Sequence, residues 1–203
     1  MSEQIDIKSN VENLELYSDS YPFRLSLRIR NFENEASYKK FVKNCEMLVR
    51  RCSEYKLWRD YIVNVLQISN CMITNESMEQ VTIEVHHHVP SLYTLVSAIV
   101  NKKIETQQEF CTFDIAQESI ELHFQNKVGY VTLLKSLHEK FHNGYLDIPI
   151  TYVKGDYNYF ITNYSKFIDD VEIETIQSRL AINENNCLWA KDDYPGVMTQ
   201  AGR

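Results

Sequence analysis

Glycine and proline are scarce in this chain of 203 residues, with five and four copies respectively. So few turn-forming residues argue against a loop-dominated fold and against an all-β fold with many short strands. No apolar run is long enough to span a bilayer, and the N-terminus lacks the basic start and apolar block of a signal peptide. We therefore expect no membrane partner and a place in the cytoplasm.

Paired cysteines and excess positive charge are also missing. The five cysteines are odd in number and widely spaced, with no Cys-x-x-Cys pair (Cys45, Cys52, Cys71, Cys111 and Cys187). This usage is typical of a reduced, intracellular protein. The 21 basic and 28 acidic side chains give a net charge of −7, which repels free nucleic acid at long range. Binding to nucleic acid would therefore need a local basic surface.

Apolar residues recur at helical spacing through most of the chain. The pattern predicts a long helix over 38–65 and further helices at 91–104, 113–127, 135–144, 156–168 and 171–182. Strict alternation over 23–30 predicts a half-buried strand with a basic outer face, and two short β-rich runs, at 81–87 and 128–134, predict further strands. We expect an α+β fold, mostly helical, with a small central antiparallel hairpin, divided into segments 1–68, 69–145 and 146–203.

Half of the six histidines are consecutive, in the stretch TIEVHHHVPS over 82–91. His138 and His142 lie four residues apart on a predicted helix, so their rings project from the same face. Two rings at that spacing can share one metal ion, and the cluster at 86–88 can supply a third ligand. The lone His123, on the apolar face of its helix, is expected to be a core residue.

The strand IEVHHHVP, the strand YVTLL and the helix LHEKFHNG together resemble the ββα-metal core of HNH (His-Me finger) endonucleases, with a similarity that covers about residues 55–145. The resemblance implies that His87 acts as general base and that His86, His138 and His142 hold one divalent ion. Three imidazoles favour Mn, Ni or Zn over Mg, which prefers oxygen ligands. Glu84 is expected to orient a ligand, and His88 to replace His87 in one role if the strand stays regular.

The sequence departs from the family where an Asn is usual, because Gly129 stands there and Asn126 is displaced by three residues. Two functions therefore stay open. The first is a phage-encoded, metal-dependent endonuclease acting in the host cytoplasm on DNA, with RNA not distinguished, whose backbone contacts come from Lys127, Lys135 and Lys140. The alternative is a catalytically degenerate HNH-fold protein that binds nucleic acid or a host protein. The tail from residue 183 to residue 203 is a candidate docking arm for a protein partner.

Overall fold

The computed structural model describes residues 32–79 and 81–187. The strand predicted at 23–30 and most of the C-terminal tail lie outside these ranges. The helices are α1 (Glu35–Arg51), α2 (Ser53–Asp60), α3 (Leu92–Glu105), α4 (Thr112–Phe124), α5 (Lys135–His142), α6 (Tyr157–Tyr164) and α7 (Asp170–Leu180), and the strands are β1 (Ile83–His87) and β2 (Tyr130–Leu134). The mostly helical α+β prediction is thus confirmed for the described part of the chain.

The helix predicted over 38–65 is interrupted at Cys52. This residue has extended backbone angles, and its N–H donates to the Leu48 carbonyl while its Sγ accepts from the Tyr55 N–H. Cys52 therefore ends α1 and begins α2. A π-helical turn, Tyr61–Val65, continues from α2. The apolar spacing alone could not reveal this break, because the apolar face continues across it.

The two strands form an antiparallel pair whose register runs from Ile83 opposite Leu134 to His87 opposite Tyr130. Because side chains alternate across a strand, Glu84 and His86 point to one face of the sheet and Val85 and His87 to the other. Helix α5 follows β2 without a linker. The order β1, β2, α5 therefore places the helix against the strand pair, next to the Glu84 and His86 face.

The strand pair contacts two apolar clusters formed by the described residues. The larger cluster contains Trp58, Leu95, Tyr130 and Phe160 and unites α1–α4 with α6. The smaller one lies beneath α5 and includes Leu137 with residues of both strands and of the 146–153 segment. The three predicted segments all contribute to the larger cluster, and their division stays a prediction. Among the described residues, no helix is both long and apolar enough to cross a membrane.

Candidate metal centre

Three of the predicted ligands come together in the structure. One ring nitrogen from each of His86, His138 and His142 lies within 4.8 Å of the others. The ring centroids are 4.5 Å apart for His86 and His138, 5.2 Å for His86 and His142, and 4.6 Å for His138 and His142. Strand β1 supplies the first ring and one turn of α5 supplies the other two. Nitrogen ligands of one tetrahedral ion lie about 3.3 Å apart, so small movements of the rings would fit one.

Glu84 fixes the orientation of one of these rings. The Nδ1–H of His138 donates to Glu84 Oε2 at 2.5 Å. Once Nδ1 carries this proton, the Nε2 atom of neutral His138 has a free lone pair. That Nε2 lies 2.8 Å from Nε2 of His142. A carboxylate that orients a ligating histidine in this way is typical of metal sites in proteins, and Glu84 has the place that the sequence predicted.

The surroundings lower the pKa of two of the three histidines. Burial, followed by the charges of neighbouring histidines, lowers the pKa of His86 to about 2. Burial and His138 likewise lower the pKa of His142. Since a metal ion binds the neutral imidazole, these environments favour the ligating form at neutral pH.

The cluster is open to solvent on one side. His86 is the buried member of the cluster. The side chains of His138 and Glu84 are 23% and 36% exposed, and His142 is an exposed residue. Three protein ligands leave a tetrahedral ion one free position, which is typical of catalytic rather than structural sites. A large substrate could therefore reach an ion held here.

His87 does not face this centre. Strand β1 stays regular through its last pair, so the His87 ring points into the larger apolar cluster. Its Nε2 lies 2.7 Å from Nε2 of His123, whose Nδ1–H donates to the Ser119 carbonyl. Burial lowers the pKa of both histidines. The expected general base is therefore a core residue in this conformation, as is His123, for which the sequence predicted that place.

His88 returns to the side of the centre but is fully enclosed, with no exposed surface. Its ring centroid lies 6.2 Å from that of His86, and neither ring nitrogen forms a hydrogen bond to the described residues. Burial lowers the pKa of His88 to about 3, although the Ile148 backbone acts to raise this pKa. His88 therefore borders the centre without contributing a ligand atom to the group of three.

The glycine at position 129 has a steric explanation that the resemblance to HNH endonucleases could not supply. A Cβ at this position would lie 2.3 Å from the His88 carbonyl oxygen, and the Gly129 carbonyl accepts the His88 N–H at 3.0 Å. No asparagine could replace it without moving backbone. The displaced Asn126 lies in the turn after α4, where its carbonyl accepts the Asp156 N–H. The described contacts do not join it to the three histidines.

The predicted lysines divide into two groups. Lys135 and Lys140 are on α5, the helix that also provides His138 and His142, with Lys135 exposed. Lys127 follows α4, where its Nζ bonds to Gln125 and lies 4.0 Å from the centroid of the Tyr159 ring. Only the first two are therefore known to share an element with the centre.

Sequence reasoning missed one charged residue beside the centre. The guanidinium carbon of Arg179, near the end of α7, lies 5.4 Å from the centroid of the Phe141 ring. Phe141 in turn contacts His86 and His142, with centroids 4.9 and 5.7 Å away. No motif connects position 179 with the histidines, because α7 reaches them only through the tertiary fold.

The chain matches a known protein family. Residues 1–192 match the family model described as Bacteriophage G278-like virion protein. No curated protein and no solved structure matches the chain. The expected phage origin is confirmed, while the resemblance to HNH endonucleases stays a prediction from the sequence. The match covers most of the 203 residues, and the chain therefore belongs to the Bacteriophage G278-like virion protein family.

Proposed function

We propose that this phage protein holds one divalent transition-metal ion through His86, His138 and His142 and hydrolyses phosphodiester bonds of DNA. The observation that supports the proposal is the convergence of a strand histidine with a helical histidine pair at a point open to solvent. A hydrolase needs such an open position, and a closed four-ligand site would argue for a purely structural ion.

The order of elements agrees with a ββα-metal core. His86 is near the end of the first strand, β2 pairs with it antiparallel, and α5 follows immediately with both remaining ligands. Helices α3 and α4 are inserted between the two strands and pack in the larger apolar cluster. The insertion therefore lengthens the chain between the ligands without separating them in space.

The side chains of the centre have distinct roles in the proposed reaction. The three imidazoles would hold the ion, and Glu84 would keep the His138 ring in its ligating orientation. The ion itself would supply Lewis-acid chemistry at the phosphate. Lys135 and Lys140 would attract the backbone of DNA to α5. His87 has no direct role in the proposed reaction, because its ring faces the core.

A cleavage assay with a matched pair of variants tests the proposal. The metal-free protein is mixed with plasmid DNA, and Mn²⁺, Ni²⁺, Zn²⁺ or Mg²⁺ is added back. We expect cleavage with an ion suited to imidazole and its loss in His138→Ala. Glu139→Ala, an exposed change on the same helix, should cleave like the wild type. If no ion produces cleavage, or if His138→Ala retains it, this function is refuted.

Two observations support a second function. The family is described as a virion protein family, and the ring of the expected general base, His87, faces the core. In this alternative the protein is a non-catalytic component of the phage particle, rather than of the host cytoplasm, and the ion only braces β1 against α5. Stoichiometric metal without cleavage of any nucleic acid would favour it. The same assay, combined with elemental analysis of the purified protein, therefore separates the two functions.

A further inference from the structure

Arg179 adds a positive charge to the rim of the metal centre. Its guanidinium lies over one face of Phe141, at 5.4 Å from the ring centroid. The same Phe141 ring lies 4.9 Å from His86 and 5.3 Å from His88, measured between centroids. Arg179 of helix α7 therefore contacts the same Phe141 ring that contacts the histidines. The charge of Arg179 contributes to lowering the pKa of His86 and of His142.

No carboxylate of the described residues forms an ion pair with this guanidinium. Burial lowers the pKa of Arg179 and the charge of Glu172 raises it, but the Glu172 carboxylate accepts a hydrogen bond from Thr94 Oγ1 at 2.8 Å instead. Other cations of the fold have carboxylate partners, such as Arg50 with Glu46 at 2.8 Å and Lys102 with Glu118 at 2.8 Å. Arg179 forms no ion pair with the described residues, although it is only partly exposed. A partly buried cation without a directly paired counter-ion is costly, and a divalent ion beside it would increase the repulsion.

We propose that Arg179 binds a phosphodiester group of DNA at the rim of the metal centre, where an ion would hold the same group. The inference rests on the proposed function and adds a substrate-binding residue to it. A planar guanidinium presents parallel N–H donors that match two phosphate oxygens. An anion placed between Arg179 and the ion would remove the repulsion that both cations otherwise create.

The competing explanation is that Arg179 merely covers Phe141. In that case the positive charge contributes packing, and its loss would change stability without changing affinity for phosphate. Lys166 offers a matched control, because its Nζ lies 4.6 Å from the centroid of the Phe167 ring, and the residue is exposed. Lys166→Gln removes the same charge from a comparable position over an aromatic ring outside the metal centre.

The test uses the full chain loaded with Co²⁺, whose visible absorption reports its ligands. Dimethyl phosphate, a diester, and inorganic phosphate are titrated separately into wild type, Arg179→Gln, Arg179→Lys and Lys166→Gln. Charge-assisted hydrogen bonds predict that Arg179→Gln weakens binding of the diester about tenfold or more. Arg179→Lys should weaken it less, because the charge remains without the fork. Lys166→Gln should bind like the wild type.

The outcomes separate this inference from the function on which it rests. If Co²⁺ shows no histidine-ligated spectrum in the wild type, the metal centre is refuted and this inference with it. If the spectrum is normal but Arg179→Gln binds the diester as the wild type does, only the role of Arg179 is refuted. Arg179 dependence for inorganic phosphate alone would overturn the assignment to the DNA backbone. Should Arg179→Gln melt early, the comparison of Arg179→Lys with the wild type decides.

Discussion

The metal centre can be tested by its effect on stability, independently of any activity. A ligand that binds only the folded state stabilises it by about 2.7 kcal/mol when its concentration is one hundred times Kd. For a chain of this length, 1 kcal/mol moves the melting temperature by about 2–4 °C. Ni²⁺ at that concentration should therefore raise the melting temperature of the wild type by about 5–11 °C.

Removing one ligand should almost abolish that shift. His142 is exposed near the end of α5, so His142→Ala should change the stability of the metal-free protein by no more than about 0.5 kcal/mol. With two ligands left, an affinity loss of about 100-fold would reduce the stabilisation by Ni²⁺ to about 0.4 kcal/mol, or about 1–2 °C. Differential scanning calorimetry with and without Ni²⁺ measures both quantities.

Glu84→Gln tests the orientation of His138 with the ligands intact. The amide can still accept the Nδ1–H of His138 but lacks the negative charge, so an affinity loss of about 10- to 100-fold is expected. The stabilisation by Ni²⁺ should fall to about 0.4–1.4 kcal/mol. Glu139→Ala, which changes an exposed residue of the same helix, should keep the full shift. An equal shift in all four proteins would mean that the ion binds elsewhere, and the reasoning would be refuted.

Three further predictions concern the histidines and the backbone beside them. Burial lowers the pKa of His123 to about 4 and that of His88 to about 3, so both stay neutral in the folded state, whereas the unfolded chain takes up protons below about pH 6.5. The free energy of unfolding of the metal-free protein should therefore have its full value above that pH and fall below it by up to about 1.4 kcal/mol per pH unit for each histidine. Urea titrations that give the same value at about pH 7.5 and pH 5.5 would contradict this. His88→Leu should raise the free energy of unfolding by about 1–2 kcal/mol, because it removes buried ring nitrogens that have no hydrogen-bond partner among the described residues; a loss of stability in the same urea titration would show that these nitrogens have a partner. Gly129→Ala should lower the free energy of unfolding by about 3 kcal/mol, because the new Cβ would lie 2.3 Å from the His88 carbonyl oxygen. Gly144→Ala, at a residue with φ of +75° and no neighbour within 4 Å, should lower it by only about 1 kcal/mol, and equal losses of stability by thermal melting would argue against the close backbone approach at Gly129.

The sequence predicted most of the secondary structure because apolar periodicity reports directly on burial. Helices α3 and α4 and strands β1 and β2 lie within two or three residues of the predicted spans. The main error was the undivided helix over 38–65. Its break depends on the backbone angles of Cys52 and on a single Sγ acceptor, and neither changes the spacing of apolar residues.

The grouping of His86, His138 and His142 could be predicted because chemistry and spacing agreed. His138 and His142 share a helical face by periodicity, whereas the choice of His86 among the three consecutive histidines came from the resemblance to HNH endonucleases. Arg179 could not be predicted, because its place depends on how α7 packs against the rest of the fold. The fit of Gly129 was equally hidden, since it requires the distance between two backbone segments rather than a property of either one.

Strand β1 sorts the consecutive histidines by alternation. His86 reaches the metal side, His87 reaches the core and hydrogen-bonds with His123, and His88 is enclosed beside Phe141. An ion bound by His86 therefore leaves His87 in the core for as long as β1 stays paired with β2 through Tyr130. Catalysis would then have to use a proton acceptor other than His87, or β1 would have to unpair at its end. His87→Phe distinguishes these possibilities, because cleavage should survive this change in the first case and disappear in the second.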